Sequence, residues 1–140
     1  MELVIHPDER LKIKCTEVSE PDINLVNGMG KIMLSHRGAG LAATQVGSDK
    51  RVIIINTDNM SSIKAMFNPK IIRTGKDYDT MIEGCLSFPG KRKEISRKTI
   101  ITVKYINEIG EQKTEVFKRF PARVIQHEID HLDGILCMED

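Results

Sequence analysis

The chain has 140 residues, 40% of them hydrophobic and 29% charged, with a net charge of +1. That length suits a single domain, 1–140, with a core of its own, and balanced charge without a basic tail excludes a nucleic-acid-binding arm. With no Trp, two Tyr and four Phe there is no base-stacking platform, and no apolar run approaches the ~20 residues of a membrane-spanning helix.

The N-terminal "MELVIHPDER" lacks the apolar core of a signal peptide and the Arg/Ser-rich character of a transit segment. From Asn24, apolar residues at Leu25, Val26, Met29, Ile32 and Met33, followed by His36, predict a helix that Gly38 ends. "RVIIIN" (51–56) reads as a buried strand. "MFNPKII" (66–72) reads as a second, bent by Pro69 and therefore placed at an edge. "CLSFPG" (85–90) reads as a short strand entering a Pro-Gly turn. "TIITVKYIN" (99–107) and "QKTEVFK" (112–118) flank "EIGE" as a hairpin. The last helix is expected to start with Pro121 at its first position and to end at Gly134. Its core stripe is Ala122, Ile125, Ile129 and Leu132. Helix, strands, helix is an α+β plan. Three scattered cysteines, Cys15, Cys85 and Cys137, form no disulfide framework and point to a reducing compartment.

Two of the four histidines, His127 and His131, fall in "QHEIDHLDG" (126–134). Residues four apart on a helix differ by only about 40° in direction, so both imidazoles can reach one ion. Glu128, between them, can act on a water as a general base. Such a site usually takes a third protein ligand. Asp133 points away round the helix, and Cys137, past its end, reads as a small buried hydrophobe that could still fold back. Cys85 is the upstream thiol candidate, since a thiolate suits zinc or ferrous iron. Spacing alone leaves that choice open, and Cys15 has no neighbouring pattern.

Three stretches in order, "GAGLAATQ" (38–45), "EGCLS" (83–87) and "QHEIDH" (126–131), resemble the signature stretches of the peptide deformylases. "VIHPDERLKIKCTEV" and "PARVIQHEIDHLDG" resemble that family too, so the similarity spans essentially the whole chain. The resemblance implies a fold in which antiparallel strands pack around a central ligand-bearing helix. It implies one divalent ion held by Cys85, His127 and His131: natively Fe2+, with Zn2+, Ni2+ or Co2+ compatible in purified protein. The implied reaction removes the N-formyl group from the formylmethionine of nascent polypeptides, with Glu128 as base and the Gln45 side chain and Leu86 N–H as oxyanion donors.

By the same resemblance, Gly38 and Gly40 let the backbone approach an extended peptide. Ala39, Met81, Leu86, Phe120 and Val124 line the methionine pocket, which Ala39 resizes where several relatives carry an aliphatic residue. Glu83 and Arg97 match a pair that holds the pocket wall, and Arg92 a residue near the substrate backbone, although "KRKEISRK" by itself reads as a solvated face. Asp130 faces partly inward beside the ligands. N-formylmethionyl peptides are the expected partners, with the ribosome near its exit tunnel; neither nucleic acid alone nor membrane is expected. A monomer in the bacterial cytoplasm is expected. Relatives commonly continue past "HLDG", whereas this sequence stops at Asp140, as short viral forms do; a phage-encoded protein would work in its host's cytoplasm.

Three other readings compete. "GAGLAA" with Asp58 fits a dinucleotide fingerprint, but a helix precedes it and Gly47 limits the helix after it to about two turns. A zincin-type metallopeptidase lacks its downstream ligand. A non-catalytic remnant finds no support while Glu128, Gln45 and the three ligands are all present.

Overall fold

The computed structural model describes residues 1–57 and 62–140, so Asp58 of the dinucleotide reading lies outside the described residues. A short 3-10 helix, Glu9–Lys12, buries Leu11 completely. Helix α1, Ile23–Ser35, starts at Asp22, whose carboxylate accepts the Leu25 N–H at 3.1 Å. Its apolar stripe buries Leu25, Val26, Met29 and Met33, whereas His36 caps the end and is exposed.

The α1 terminus is closed by Gly38 N–H to Met33 O (2.9 Å) and Arg37 N–H to Leu34 O (3.1 Å). These are the two bonds of a Schellman motif. Its left-handed position, usually glycine, is Arg37, at φ 57°. That conformation costs an ordinary side chain about 1–2 kcal/mol. A cation at an exposed helix C-terminus recovers only about 0.3–1 kcal/mol.

Five antiparallel strands form the main sheet in the order β1 (Gly40–Ala42), β2 (Val52–Ile55), β3 (Lys64–Thr74), β6 (Ile100–Ile106), β7 (Gln112–Lys118). A separate hairpin pairs β4 (Tyr78–Gly84) with β5 (Arg92–Lys98). Strand β2 is buried on both faces, which explains its unbroken apolar run. Ile53 and Ile55 pack toward helix α2 (Arg119–Leu132) in one cluster, with Met66, Ile101, Val103, Ile125, Ile129 and Leu132. Val52 and Ile54 join α1 in the other, with Met29, Met33, Leu41 and Phe67. Each such side chain contributes about 1.5–3 kcal/mol of burial.

Three sequence expectations need correction. Strand β3 is central rather than an edge. Pro69 fits there because the β3–β6 register shifts between Phe67 and Lys70, which spares the ladder its missing N–H. The bulge places Asn68 at φ 53°, where its amide exchanges hydrogen bonds of 2.8 Å each way with the Val18 backbone. Residues 85–90 are turn, not strand, because β4 stops at Gly84. Helix α2 begins two residues before Pro121. Proline is still tolerated there because the first four helical N–H groups have no partner within the helix.

The other end of α2 follows the sequence reading. Gly134, at φ 74°, follows the cap, with Gly134 N–H to His131 O at 3.0 Å and Ile135 N–H to Asp130 O at 2.9 Å. A Cβ on Gly134 would lie 2.5 Å from Lys12 O, so a side chain is excluded by backbone as well as by φ.

Candidate metal centre and active-site cleft

Helix α2 turns its core stripe toward β2 and β6, and the adjacent face carries His127, Glu128 and His131 inward. These residues are 7%, 5% and 2% exposed. Cys85 is half-buried at the turn where β4 ends. Its Sγ stands 3.3 Å from His131 Nε2, and one ligand atom from each of Cys85, His127 and His131 falls within 4.8 Å of the others. The sequence left the choice of third ligand between Cys85 and Cys137; the fold brings Cys85 to both histidines.

Cys137 is not the buried hydrophobe expected. It is half-buried, with Sγ 3.6 Å from His127 Nδ1. Glu83, His127 and Cys137 therefore make a second donor group, but Glu83 already accepts from Arg97 Nε at 2.7 Å and from Arg123 Nη1. A cation there would face two guanidinium groups. On the other side no guanidinium bonds to Cys85 or His131 among the described residues, and one thiol with two imidazoles suits a divalent ion of borderline softness. Glu128 Oε1 is buried there without a hydrogen-bond partner among the described residues, which also fits a polar or cationic occupant.

The electrostatics divide the two histidines. Burial, helped by the neighbouring His127 and Arg97, pulls His131 down to about 3, so it is a neutral imidazole ready to ligate. Burial also opposes a charged His127, but hydrogen bonds with Cys137, Cys85 and Glu83 outweigh it and raise this residue well above its ordinary value. Burial raises Glu128 from 4.5 to about 7 against the pull of His127 and Arg97, the range of a general base working near neutrality.

Around the ligands runs an ionic network that the sequence only partly disclosed. His127 Nδ1 lies 2.9 Å from Glu83 Oε1, and Arg97 reaches both Glu83 and, at 3.0 Å, Asp130. "KRKEISRK" is therefore mostly strand β5, with Arg97 only 7% exposed, rather than a wholly solvated face. Arg123 was missed: it donates to Glu83, to Ile95 O at 2.9 Å, and to both the backbone and side chain of Asp79 at 2.8 Å. Its only sequence signal is a charge set between Ala122 and Val124 on an otherwise apolar helix face.

Gln45 is 2% exposed and held from both ends of its amide. Its Oε1 accepts the Ala42 N–H at 3.0 Å, while Nε2 donates to Ser87 Oγ at 3.0 Å and points at Cys85 Sγ, 3.7 Å away. The turn after Cys85 is closed by Phe88 N–H to Cys85 O, a bond that does not use the Leu86 N–H. A cleft of about 660 Å³ opens onto this centre. Its walls include Gly38, Ala39 and Gly40 from the β1 side and Met81, Glu83, Cys85 and Leu86 from the β4 side, with Arg92, Phe120 and Val124.

The two glycines in the cleft wall also make room for the protein's own side chains. A Cβ at Gly40 would lie 2.6 Å from Val124 Cγ1 and 2.8 Å from Glu128 Oε2, and one at Gly38 would lie 2.8 Å from Leu86 Cδ1. The dinucleotide reading fails on the same segment. Residues 40–46 are strand β1 and a single 3-10 turn, Ala43–Val46, closed by Gly47 at φ 83°, with no long helix to receive a pyrophosphate.

The family model described as polypeptide deformylase matches residues 1–140. The peptide deformylase of Halothermothrix orenii is 42% identical over 89% of this chain and 80% of its own length. That of Desulforudis audaxviator is 39% identical over 99% and 91%. Among solved structures, the Met-Ala-Ser-bound class I type b peptide deformylase of Acinetobacter baumannii superposes with a TM-score of 0.92 at 35% identity, covering 97% of this chain and 94% of that one. The actinonin complex of the Ehrlichia chaffeensis enzyme gives 0.92 at 34% identity, covering 97% and 85%. The family implies a divalent metal ion, and Cys85, His127 and His131 form a candidate donor group for one. The chain belongs to the polypeptide deformylase family, the metal-dependent hydrolases that remove the N-formyl group from the formylmethionine of nascent polypeptides and release formate.

Proposed function

We propose that Cys85, His127 and His131 hold the divalent ion and that Glu128 is the general base of formyl removal. The convergence of one thiol and two imidazoles within 4.8 Å, beside a buried carboxyl poised at about 7, carries this reading. When bound, the ion supplies Lewis acidity that makes water ionisable near neutral pH. Glu128 takes a proton from the attacking water as its oxygen adds to the formyl carbon, then returns it to the departing amine. The products are formate and a free amino terminus. The Gln45 amide, once one of its N–H groups turns from Ser87 or Cys85, donates to the developing oxyanion together with the Leu86 N–H.

The formyl-peptide lies extended between the edge of β1 and that of β4, where unpaired backbone groups can accept it as an added strand. The Met-Ala-Ser carried by the A. baumannii structure supports this occupant. Ala39, Met81, Leu86, Phe120 and Val124 receive the methionine side chain. Met81 and Phe120 are 45% and 46% exposed, so a seated peptide would remove their apolar surface from water. Glu83 acts from behind, orienting His127, and Arg92 stands beside the peptide backbone.

Ferrous iron is the native ion in this reading; the donor set also accepts zinc, nickel and cobalt. The protein works as a cytoplasmic monomer on chains leaving the ribosome. Among the described residues no helix is long and apolar enough to cross a membrane. Formate release from a formyl-methionyl tripeptide by anaerobically iron-loaded protein, abolished by a chelator and restored by iron, tests the activity. Turnover that is indifferent to the chelator would sink the metal reading.

A further inference from the structure

The cleft is chemically lopsided at its mouth. The carboxylates in its walls, Glu83 and Glu128, are both buried and committed to the centre. The cationic wall residues Arg37 and Arg92 are exposed, and neither makes an ion pair or side-chain hydrogen bond among the described residues. Lys91, also in the wall, has its charge offset by Asp140 at 3.1 Å. The two free guanidinium groups come from opposite sides. Arg37 leads into β1, and Arg92 is the register partner of Gly84 at the end of β4. Arg37 also keeps its side chain at φ 57°, a backbone position that favours glycine.

We propose that Arg37 and Arg92 make this protein selective for formyl-peptides with an acidic side chain at the second or third residue. The inference rests on the peptide lying between β1 and β4, as proposed above. A formylated N-terminus is neutral, so the substrate's charges near the cleft come only from its side chains. Arg37 is three residues from Gly40, which abuts Glu128. An extended peptide advances about 3.3 Å per residue, so its second and third side chains lie about 7–10 Å from the reacting formyl group, outward of Gly40 and toward the rim that carries Arg37 and Arg92. There a carboxylate meets two cations that no acid neutralises among the described residues, while a lysine meets their repulsion. Complementary charge of this kind acts on encounter and on choice between partners.

The test compares kcat/KM for the C-terminally amidated peptides formyl-Met-X-Ala-NH2 and formyl-Met-Ala-X-NH2, with X as Asp, Ala or Lys, on metal-loaded protein at low salt. The order Asp over Ala over Lys is expected in at least one series, with about 3- to 10-fold between the extremes, the range of exposed charge pairs. The gap should close in about 0.5 M NaCl, where charges farther apart than a few Å are screened. Arg37→Gln and Arg92→Gln should each narrow it, and Arg37→Glu should reverse it, in variants whose metal content and circular dichroism match the parent's. Equal rates for Asp and Lys in both series would overturn the proposal, as would a preference untouched by Arg37→Glu. Absence of formate from the neutral peptide would overturn the underlying activity instead, so the two failures are distinguishable.

Discussion

Glu83 Oε1 sits 2.9 Å from His127 Nδ1, so the imidazole that offers one nitrogen to the Cys85 side is held by a carboxylate at the other. Burial alone would raise Glu83, but hydrogen bonds from His127 and Arg97 override it and hold the residue at about 2. It stays ionised at all working pH values and orients His127 as a carboxylate partner orients a metal-ligating histidine. Glu83→Gln should therefore lower zinc affinity by about 10- to 100-fold, measured by competition with a chromophoric chelator. Unchanged affinity would remove Glu83 from the centre.

The same carboxylate makes stability depend on acid. Its folded value lies below its unfolded one, so the contribution is fully present above the ordinary carboxylate range and is lost as pH falls through about 2. Glu128 has the opposite sign. Its folded value is about 7, so its contribution is present below the ordinary value of 4.5 and is lost as pH rises through 7. Because His131, held at about 3, acts with the opposite sign over the same range, the prediction is a difference: in urea unfolding of metal-free protein between about pH 5 and 7, the stability of Glu128→Gln relative to the parent should rise with pH. An identical pH profile in the variant would show that Glu128 does not titrate there.

Arg123 ties α2 to both strands of the β4–β5 hairpin through Asp79, Glu83 and Ile95. Removing one partner from a buried ionic network typically costs about 3–5 kcal/mol, because the groups left behind lose their counter-charge. Arg123→Met should lower the unfolding free energy by that order in equilibrium urea titrations. A loss below about 1 kcal/mol, the worth of an exposed pair, would mean that the network is solvated in solution.

Gly40 makes room for the base. Alanine there would bring a methyl group within 2.8 Å of Glu128 Oε2, and displacing a reacting group by about 1 Å can cost about 100-fold in rate. Gly40→Ala should lower kcat by that order while leaving metal content at one ion per chain. Parent-like turnover would show that Glu128 has slack to move.

Much of this was legible in the sequence because it lay in local periodicity. The four-residue spacing of His127 and His131, the apolar stripe of α2 and the β6–β7 hairpin each follow from repeats of 3.6 or 2 residues. What escaped depends on partners distant in sequence. Pro69 lies in a central strand because of a bulge whose Asn68 is satisfied by Val18, 50 residues away. Strand β4 carries mostly exposed residues and β5 alternates exposed with partly buried ones that are largely charged, so neither showed an apolar pattern, and their contribution to the core network is the ionic cluster of Glu83 and Arg97 with Arg123. Cys137 reaches His127 only because the chain reverses after Gly134, a contact that no spacing rule reveals.

The most direct test of the account is formate release by iron-loaded parent and Glu128→Ala proteins, with metal quantified in both. Rapid release is expected from the parent, with a loss of at least about 100-fold in a variant that still holds one ion, as when a general base is removed. Comparable turnover by the two proteins would contradict the account, as would a fully metallated, folded parent that releases no formate.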